Sequence, residues 1–597
     1  MKKILSVLLC LTFTASLAFS QEVFLSLTKY NEDIRELPTN VTVIDRQQIE
    51  TSRTGTLGEL LQNEVSVNFK TYGSAGSASG ISIRGASGTQ TLVLIDGRRV
   101  NDIGLGTADF TNIPAANIER VEIIRGAGAA IYGTGAFGGV VNVITKRAAS
   151  DSPIVDLDLS YGSFNTFSPA VTGAYAAEKT AALVSLSHLS SDGYRDAEFV
   201  NYNAFFSGSA AAWEKSRFSL TGNIYQSEYH PKGSLTYYTP NDVQEDNLKY
   251  AKLDYDYVFE EMSLKVSGYA SESKRKYRSP ALSKDGYTAN TYGTQADFIY
   301  KNILLAGAEW WQDNYKREDL LTDTTMTDKS KENTAFYVQA NIDIGKLRII
   351  PGLRGDIDSE YGDVVTPAIS AIYSVNDKVK VSANSGRVWR APTFSELYDD
   401  YPSWWMYGNP GLKPEYGISS DIGAEYSYGK IKAACTAFYI ASKDLIKNIT
   451  DPVTFEMRPQ NIAKARQYGL ELEGGYIMNS WLKHNFNYTF LKAENSDTGE
   501  ILPYSPESAV NYSVTVKPVE KLSVCAQAIY KSGQKVSGAP DLDGYFTLDL
   551  NVSYRINENF TCWVKGFNIT DTDYQMYSDY PMPGATVYAG INFKFWK

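Results

Sequence analysis

Cysteine and histidine are scarce in this sequence. Its 597 residues include four Cys and three His. Cys10 lies in the apolar N-terminal segment, and Cys435, Cys525 and Cys562 are far apart, with no C-x-x-C spacing. Zinc sites and disulfide frameworks need several suitably spaced ligands or cysteines. We therefore expect neither of these features, and we expect no metal and no other cofactor.

A positive net charge and long apolar runs are also lacking. The formal net charge is −11, which makes nucleic acid a poor partner. The mean hydropathy is −0.28, and past the N-terminus no apolar run approaches the ~18 residues of a membrane-spanning helix. The sequence has no nucleophile–base pattern either, so we expect no catalytic residues and no enzyme.

The N-terminus has the pattern of a secretory signal peptide. Lys2 and Lys3 precede an apolar run over 4–17, and the residues of 18–20 provide a cleavage site with small side chains. The run is too short for a membrane anchor. We predict that residues 1–20 are removed and that the mature chain is exported.

Aromatic residues are abundant, and apolar and polar residues alternate through most of the chain. There are 42 Tyr, 25 Phe and 9 Trp. In the segment 545–556, Phe546 and Leu548 fall on one face and Thr547 on the other. Roughly 22 such segments of about 9–13 residues follow residue 155, and this length crosses a bilayer at the usual tilt. A soluble β-sandwich would show the same alternation, but the number and length of the segments favour a transmembrane β-barrel of about 22 antiparallel strands.

Short and long connections alternate between these segments, as they do in membrane barrels. The expected short turns are 178–180, 214–216, 375–377 and 557–559. The expected long outer loops are 229–246, 275–290, 316–331, 389–415 and 569–584.

The region before the barrel reads as a compact α/β domain with a helix around 56–64. Within it Gly133, Gly135 and Gly138 match the dinucleotide-binding pattern G-x-G-x-x-G. That pattern binds a pyrophosphate only where a helix follows the last glycine. Here the β-branched stretch "VVNVIT" follows and predicts a strand. The glycine stretch is therefore not read as a nucleotide site.

Several sequence blocks occur in series and resemble the TonB-dependent outer-membrane transporters. They include "LPTNVTVIDRQQIE", "QTLVLIDGRRVND", "NIPAANIERVEIIRG" and "AAIYGTGAFGGVVNVITK" near the N-terminus, and "WRAPTFSELY…YGNPGLKPE" and "GFNITDTDY…YPMPGATVYAGINFKF" in the barrel. Two departures are Ala127, where the family often has proline, and Ala585, where arginine is common. The segment "LIDGRRVNDIGLGTADFTNIP" looks most like the vitamin B12 (cobalamin) transporters, and catecholate siderophore receptors share much of the pattern.

This resemblance implies an N-terminal α/β plug domain inside the lumen of the barrel. The domains would be the TonB box segment 21–29, the plug 30–148 and the barrel 149–597. The implied function is active import of a scarce large solute, cobalamin or a ferric siderophore, across the outer membrane. The implied partners are TonB with ExbB and ExbD, and outer-membrane lipid or lipopolysaccharide, around a monomer. A passive porin and a surface adhesin or signalling receptor are the alternatives.

The resemblance also assigns candidate residues. The TonB box, an extended strand that would add to a sheet edge of TonB, is a set of five residues: Val23, Phe24, Leu25, Ser26 and Leu27. The plug–barrel lock is defined as Arg84, Arg125, Asp421 and Glu471. Strand parity turns Asp421 and Glu471 toward the lumen, and buried arginines need such acidic partners.

Ligand contacts are expected in the apical plug loops and in long outer loops. The candidates are Tyr72, Ser74, Arg98, Asn101, Asp102, Tyr237, Tyr238, Trp404 and Trp405. The two tryptophans could equally belong to an aromatic girdle at the membrane interface. Haem is disfavoured because haem receptors of the resembled family usually carry a histidine between "WRAPTFSELY" and "YGNPGLKPE", and none of His188, His230 and His484 lies there. The carboxylates of 252–257 suit a lumen-facing strand better than a calcium site.

Overall fold

The computed structural model describes residues 22–25, 30–33, 38, 40–73, 75–111, 113–149, 153–280, 283–402 and 405–596. The predicted signal peptide, Ser26, Leu27, Ser74 and Trp404 therefore lie outside the described residues. Helices of the described chain are all short, and none has the length and apolar character required to span a bilayer.

The N-terminal domain is a small α/β unit. Its helices are α1 (Arg46–Ser52) and α2 (Leu57–Leu61). Its strands are β1 (Glu22–Leu25), β2 (Tyr30–Asp33), β3 (Val41–Ile44), β4 (Val67–Thr71), β5 (Ser79–Ile83), β6 (Thr91–Ile95), β7 (Arg98–Arg99), β8 (Ile118–Arg125) and β9 (Gly139–Thr145). Five strands form one sheet in the order β3-β8-β9-β6-β7, in which only the β6–β9 pair is parallel; β1–β2 and β4–β5 are separate antiparallel pairs.

The helix expected around 56–64 is shorter than predicted, and a second helix precedes it. Helix α1 begins after Asp45, whose carboxylate accepts from the backbone N–H of Gln48 while the Gln48 side chain accepts from the Asp45 N–H. This reciprocal capping stabilises the first turn. Helix α1 ends at Arg53, which has a φ of 50°, and the chain turns there into α2.

The remainder of the chain forms a closed antiparallel barrel. Its strands are β10 (Ile154–Gly162), β11 (Thr166–Ala176), β12 (Thr180–Ser191), β13 (Phe199–Trp213), β14 (Ser216–Tyr229), β15 (Val243–Phe259), β16 (Met262–Ser279), β17 (Ser283–Tyr300), β18 (Leu304–Asp319), β19 (Thr324–Ala340), β20 (Ile342–Ile344), β21 (Leu347–Asp358), β22 (Gly362–Asn376), β23 (Val379–Arg390), β24 (Glu415–Tyr428), β25 (Ile431–Thr450), β26 (Met457–Asn479), β27 (Leu482–Asn495), β28 (Ser508–Val519), β29 (Leu522–Lys531), β30 (Tyr545–Arg555), β31 (Phe560–Phe567) and β34 (Thr586–Trp596). A hairpin of β32 (Gln575–Tyr577) and β33 (Tyr580–Pro581) lies in the last outer loop, and α3 (Phe394–Tyr398) lies in the loop 391–414.

The barrel has 22 strands, as the sequence predicts. Both β19 and β20 pair with β21 and are two parts of one strand interrupted at Asn341. The last strand β34 pairs with β10, for example Phe593 with Leu157, and this pairing closes the barrel. Closure leaves no unpaired sheet edge in the membrane.

Strand length is where the sequence prediction is wrong. The predicted length was about 9–13 residues, whereas β31 has 8 residues and β26 has 23. Strands β16 and β17 run to Ser279 and from Ser283, so the long loop expected at 275–290 is mostly strand. The same correction applies to 316–331, where only 320–323 separates β18 from β19. The ends of these strands are mostly polar in sequence, so the apolar alternation that predicts a strand is absent there.

The α/β unit lies in the lumen of the barrel and is a plug. Its own core is apolar, with Leu57, Leu61 and Ile123 fully buried. A second apolar cluster joins the plug to the wall, since Leu92 packs with Leu305 of β18 among others. The plug therefore has its own core and a direct apolar contact with one part of the barrel wall.

Close packing explains Gly133 and Gly138 of the G-x-G-x-x-G match, and a positive φ of 88° explains Gly135. Gly133 has a φ of 77°, and a Cβ there would lie 2.7 Å from Nε of Arg354 in the wall. A Cβ on Gly138 would lie 2.7 Å from the carbonyl oxygen of Ile83. The strand β9 follows the motif, as its β-branched residues predict. The motif lacks the helix that a pyrophosphate site requires.

Candidate functional site

The plug meets the wall through a buried ion-pair cluster centred on Arg84. Nε and Nη2 of Arg84 donate to the two carboxylate oxygens of Glu471 at 2.7 and 2.8 Å, and Nη1 donates to Asp421 Oδ2 at 3.0 Å. The Arg84 and Glu471 side chains are fully buried. Because Arg84 satisfies both carboxylates in a forked geometry, the desolvation of these charges is well compensated.

Arg125 extends this cluster to a third carboxylate. Its Nη2 donates to Glu473 Oε1 at 2.7 Å and its Nη1 to Thr42 Oγ1 at 2.7 Å, while Nε lies 3.5 Å from Glu471 Oε2. All four residues predicted for the plug–barrel lock are thus brought together. Glu473 was missed, although it follows Glu471 by two residues and strand alternation turns both to the lumen.

A plug carboxyl group adjoins this cluster of charges. Burial, and then the negative charge of Glu473, raise the pKa of Glu64 to about 7. Glu64 therefore carries a proton in much of the population near neutral pH. Protonation there limits the excess of negative charge around Arg125.

A tyrosine-lined cavity lies on the outer side of the plug. It has a volume of about 150 Å³ and lies between the barrel wall and the plug loop that contains Asp102, Gly104 and Leu105. The lining residues are Asp102, Gly104, Leu105, Gln244, Ser273, Arg275, Tyr277, Tyr287, Ala289, Tyr315 and Tyr401. A second cavity of about 170 Å³ continues beneath the loop and includes Arg98 and Asn101. Concave aromatic surfaces with a few polar groups are typical of small-molecule sites.

Acidic neighbours neutralise Arg275, which lines the tyrosine-lined cavity, and Arg317, which lies behind its lining residue Tyr401. Arg275 Nε donates to Asp246 Oδ1 at 2.7 Å, and Arg317 Nη2 donates to Asp285 Oδ1 at 2.9 Å. The Arg317 guanidinium also stacks on Tyr401, 3.9 Å from the ring centre. The cavity consequently offers aromatic surface and hydrogen bonds with little net positive charge.

Two predicted ligand residues, Asn101 and Asp102, lie in the plug loop after β7, here called the apical loop, and mostly stabilise the conformation of that loop. Asn101 accepts from Val93 N and donates to the carbonyl oxygens of Thr91 and Gly106. Asp102 lines the cavity and accepts from the N–H groups of Gly104 and Leu105 at 2.8 Å each.

Arg98, predicted to contact ligand, lies deeper than this loop. It is buried, 3% exposed, with its guanidinium 4.1 Å from the Tyr250 ring centre. The exposed group at the tip of the apical loop is Leu105, at 49%. The tip of the apical loop therefore presents an apolar side chain to a ligand.

Tyr72 belongs to an aromatic platform that the sequence does not reveal as a group. Its ring stacks on Tyr577 at 4.1 Å and meets Tyr580 edge-on at 4.8 Å. Tyr504 meets Tyr577 at 5.2 Å, and the Lys70 ammonium lies 5.2 Å from the Tyr504 ring centre. Only the high tyrosine content hinted at this platform, because its members come from the plug and two separate loops.

The remaining predicted aromatic residues are exposed on outer loops. Tyr237 and Tyr238 are 74% and 54% exposed, and Trp405 is 56% exposed. The loop that carries the two tyrosines is fixed to the last outer loop, since Thr236 N donates to Asp579 Oδ2 at 2.8 Å. These side chains are available to a ligand, although no described contact joins them to the tyrosine-lined cavity.

The predicted TonB box lies at the start of the described chain. Val23, Phe24 and Leu25 belong to β1, which pairs antiparallel with β2; Leu25 is opposite Tyr30. Residues 22–25 are therefore extended, the conformation that strand addition requires. In this arrangement one of its edges is already paired with β2.

A larger cavity separates the plug from another sector of the wall. It has a volume of about 540 Å³ and is bounded by α1, α2 and residues of β10, β11, β12, β31 and β34. Ion pairs cross it at longer distances, with Lys594 3.3 Å from Glu50 and Arg53 4.0 Å from Asp158. Among the described residues, no group of three or more His, Cys, Asp or Glu side chains is placed to hold a metal ion.

Comparison with known proteins agrees with this architecture. The family model "TonB-dependent Receptor Plug Domain" matches residues 33–140, and "TonB dependent receptor-like, beta-barrel" matches residues 155–569. The vitamin B12 transporter BtuB of Photobacterium profundum is 26% identical over 98% of this chain and 98% of its own length.

Solved structures share the fold. The ferric enterobactin receptor PfeA of Pseudomonas aeruginosa superposes with a TM-score of 0.81 at 18% identity, covering 94% of this chain and 100% of that chain. The siderophore receptor PirA of Acinetobacter baumannii superposes with a TM-score of 0.80 at 17% identity, covering 94% and 98%. The plugged 22-stranded barrel and the two family matches lead to one conclusion: the chain belongs to the TonB-dependent receptors of the outer membrane, where its strands cross the bilayer.

Proposed function

We propose that this receptor imports cobalamin, vitamin B12, and that TonB, driven by ExbB and ExbD, energises the import. The observation that carries the proposal is the charge balance of the tyrosine-lined cavity. Its lining arginine, Arg275, is paired with Asp246, and Arg317, which stacks behind the lining residue Tyr401, is paired with Asp285. The cavity, with a volume of about 150 Å³, admits one part of a large ligand. A neutral or zwitterionic ligand suits it better than a highly anionic one, because the arginines have little uncompensated charge to offer.

The similarity to BtuB supports the same assignment. It covers nearly the whole of both chains, although at 26% identity. The receptors named for ferric enterobactin and siderophores are similar in structure at 17–18% identity and bear on the fold alone. A passive porin would need an open lumen, and the plug core within the barrel argues against one.

A ferric catecholate siderophore is the second candidate ligand. It is favoured by one observation, the presence of Lys70 among the tyrosines of the platform. Burial lowers the pKa of Lys70 to about 8. Its ammonium is therefore mostly charged at neutral pH and could attract an anionic ligand.

Ligand-dependent quenching of protein fluorescence tests the proposal. The purified receptor is titrated with cyanocobalamin and, separately, with a ferric tris-catecholate. Leu105→Trp adds bulk at the exposed tip of the apical loop and should abolish cyanocobalamin binding. Leu321→Trp is the matched control, because Leu321 is 70% exposed and lies in another outer turn. Binding of the ferric catecholate without binding of cyanocobalamin would replace the first candidate by the second.

A further inference from the structure

A buried arginine contributes to the cavity of about 170 Å³ beneath the apical loop. Arg98 belongs to the plug strand β7 and is 3% exposed, and its guanidinium lies 4.1 Å from the ring centre of Tyr250 in the wall. Its Nη1 donates to the carbonyl oxygen of Arg99 at 3.3 Å. Its Nε and Nη2 have no hydrogen-bond acceptor among the residues that the structure describes. These two atoms form one edge of the guanidinium, here called the Arg98 edge.

The same edge of another buried arginine holds a carboxylate. Nε and Nη2 of Arg84 donate to the two carboxylate oxygens of Glu471 at 2.7 and 2.8 Å. Arginine binds carboxylate and phosphate in this forked way because two parallel N–H groups match two oxygen atoms. The Arg98 edge is therefore suited to an anion that presents two oxygen atoms.

The charge of Arg98 has no close counter-charge in the described part of the chain. Asp96 is the carboxyl group whose charge acts on Arg98, but its two oxygens accept from the N–H and the hydroxyl of Thr145 at 3.1 and 2.6 Å. Arginine keeps its proton in proteins, and stacking on Tyr250 offsets only part of the cost of burying a charge. A bound counter-ion would offset the remaining cost.

The acidic residues that line this cavity, Asp102 and Asp109, act on a different arginine. Their charges favour the charged form of Arg275, which also pairs with Asp246 at 2.7 Å. The negative charge of the lining is therefore concentrated around Arg275. It does not supply a partner for the Arg98 edge.

We propose that the Arg98 edge binds a small oxyanion, such as inorganic phosphate, through two of its oxygen atoms. The cavity volume of about 170 Å³ is several times the about 30 Å³ that one water molecule occupies in the liquid, so a tetrahedral anion fits together with waters. Tyr269 also lies within electrostatic range of Arg98, and its buried hydroxyl, which has no described hydrogen-bond partner, is a further donor. The burial of Arg98 below the apical loop favours an anion from the medium over a group of the imported solute. The proposal therefore does not rest on which solute is imported.

Isothermal titration of the detergent-purified receptor with inorganic phosphate, in Tris buffer at constant ionic strength, tests this assignment. We expect one phosphate per receptor. Arg98→Gln should weaken phosphate binding about tenfold or more, because hydrogen bonds between charged groups are strong. Arg98→Lys keeps the charge but loses the forked edge, so it should also bind phosphate more weakly than the unchanged receptor does.

Arg99→Gln is the matched control. Arg99 is the neighbouring residue and lines the same cavity, but its Nη1 and Nη2 donate to the carbonyl oxygens of Tyr132 and Thr134. Its replacement should leave the phosphate affinity nearly unchanged. Heat-modified electrophoretic mobility and protease resistance of the plug check that each variant is folded.

A second measurement requires no variant. In crystals of the unchanged receptor soaked with selenate, anomalous scattering should place selenium beside Nε and Nη2 of Arg98. The proposal is overturned if no selenate lies there, if folded Arg98→Gln receptor binds phosphate as tightly as the unchanged receptor, or if chloride, a single atom, binds as tightly as phosphate. Saturating phosphate should leave cyanocobalamin binding unchanged. Competition between the two would assign the Arg98 edge to the imported solute and would overturn a free anion.

Discussion

Arg84 of the plug and Glu471 of the wall form a two-point ion pair with no solvent access. Nε and Nη2 of the arginine face the two carboxylate oxygens at 2.7 and 2.8 Å, and the arginine also stands 4.8 Å from the Phe438 ring centre. Arg84 follows strand β5 with a φ of 52°, a left-handed conformation that is costly for a residue with a side chain. The backbone is therefore held in an unfavourable conformation that directs the side chain to its partner.

Reversing the charge of the wall partner should loosen the plug. In Glu471→Arg, Arg84 faces a like charge, and the expected loss of plug stability is roughly 3–5 kcal/mol. Protease sensitivity of the plug in the intact barrel measures this loss. Asp541→Asn is the control, because Asp541 belongs to an exposed ion pair with Lys535 and should have no measurable effect. An equally resistant plug in Glu471→Arg would show that the cluster does not hold the plug.

Attachment of the plug should depend on pH through Glu64. Its pKa is raised from 4.5 to about 7 in the folded state. Its contribution is therefore fully present below pH 4.5 and is lost as pH rises to about 7. Glu64→Gln should stabilise the plug against denaturant at pH 8 and change little at pH 4.5, as followed by proteolysis of the plug. A variant that shifts stability equally at both pH values would contradict this role.

Crowding at Gly133 should make alanine costly there. The new Cβ would lie 2.7 Å from Arg354 Nε in addition to requiring a positive φ. Gly97 also has a positive φ, 81°, but a Cβ there would have no neighbour within 4 Å, so Gly97→Ala measures the cost of alanine at a positive φ without crowding. We expect Gly133→Ala to destabilise the plug by about 1–3 kcal/mol more than Gly97→Ala. Equal losses in denaturant titrations would exclude the steric contribution.

The TonB box assignment predicts a separation of binding from uptake. Leu25→Pro removes a backbone donor from β1 and should prevent strand addition to TonB. Uptake of the bound ligand into cells should be lost while binding at the cell surface persists. Leu25→Ala keeps the backbone N–H and serves as the control. Normal uptake by the proline variant would place the box elsewhere.

The barrel could be predicted from the sequence because lipid imposes a strict period of two on each strand. Without lipid contact this constraint does not apply, and the polar run that contains Arg275 and Tyr277 predicts a loop, whereas β16 continues through it. The glycine stretch illustrates the same limit. Its lack of a following helix was visible in the sequence, whereas the contact of Gly133 with Arg354 depends on how the plug sits in the wall.

The candidate site could likewise be predicted from the sequence only in part. Strand parity turned Asp421 and Glu471 inward, and the structure places both beside Arg84. The aromatic platform could not be derived, because Tyr72 and Tyr577 are far apart in the chain and meet only after the barrel closes. Local sequence patterns predict which face of a strand a residue occupies. They do not predict which distant loop that residue contacts.

The contacts that hold the plug in the barrel are strong on one side and weak on another. The buried ion pairs join it to β24 and β26, whereas the 540 Å³ cavity and its partly exposed ion pairs separate it from β10–β12, β31 and β34. Exposed pairs resist displacement weakly compared with buried ones. A force that pulls on the N-terminal segment would therefore tend to rotate the plug within the barrel. The weakly held side of the plug would move first. The plug would therefore rotate about the Arg84 cluster before it could move along the barrel axis.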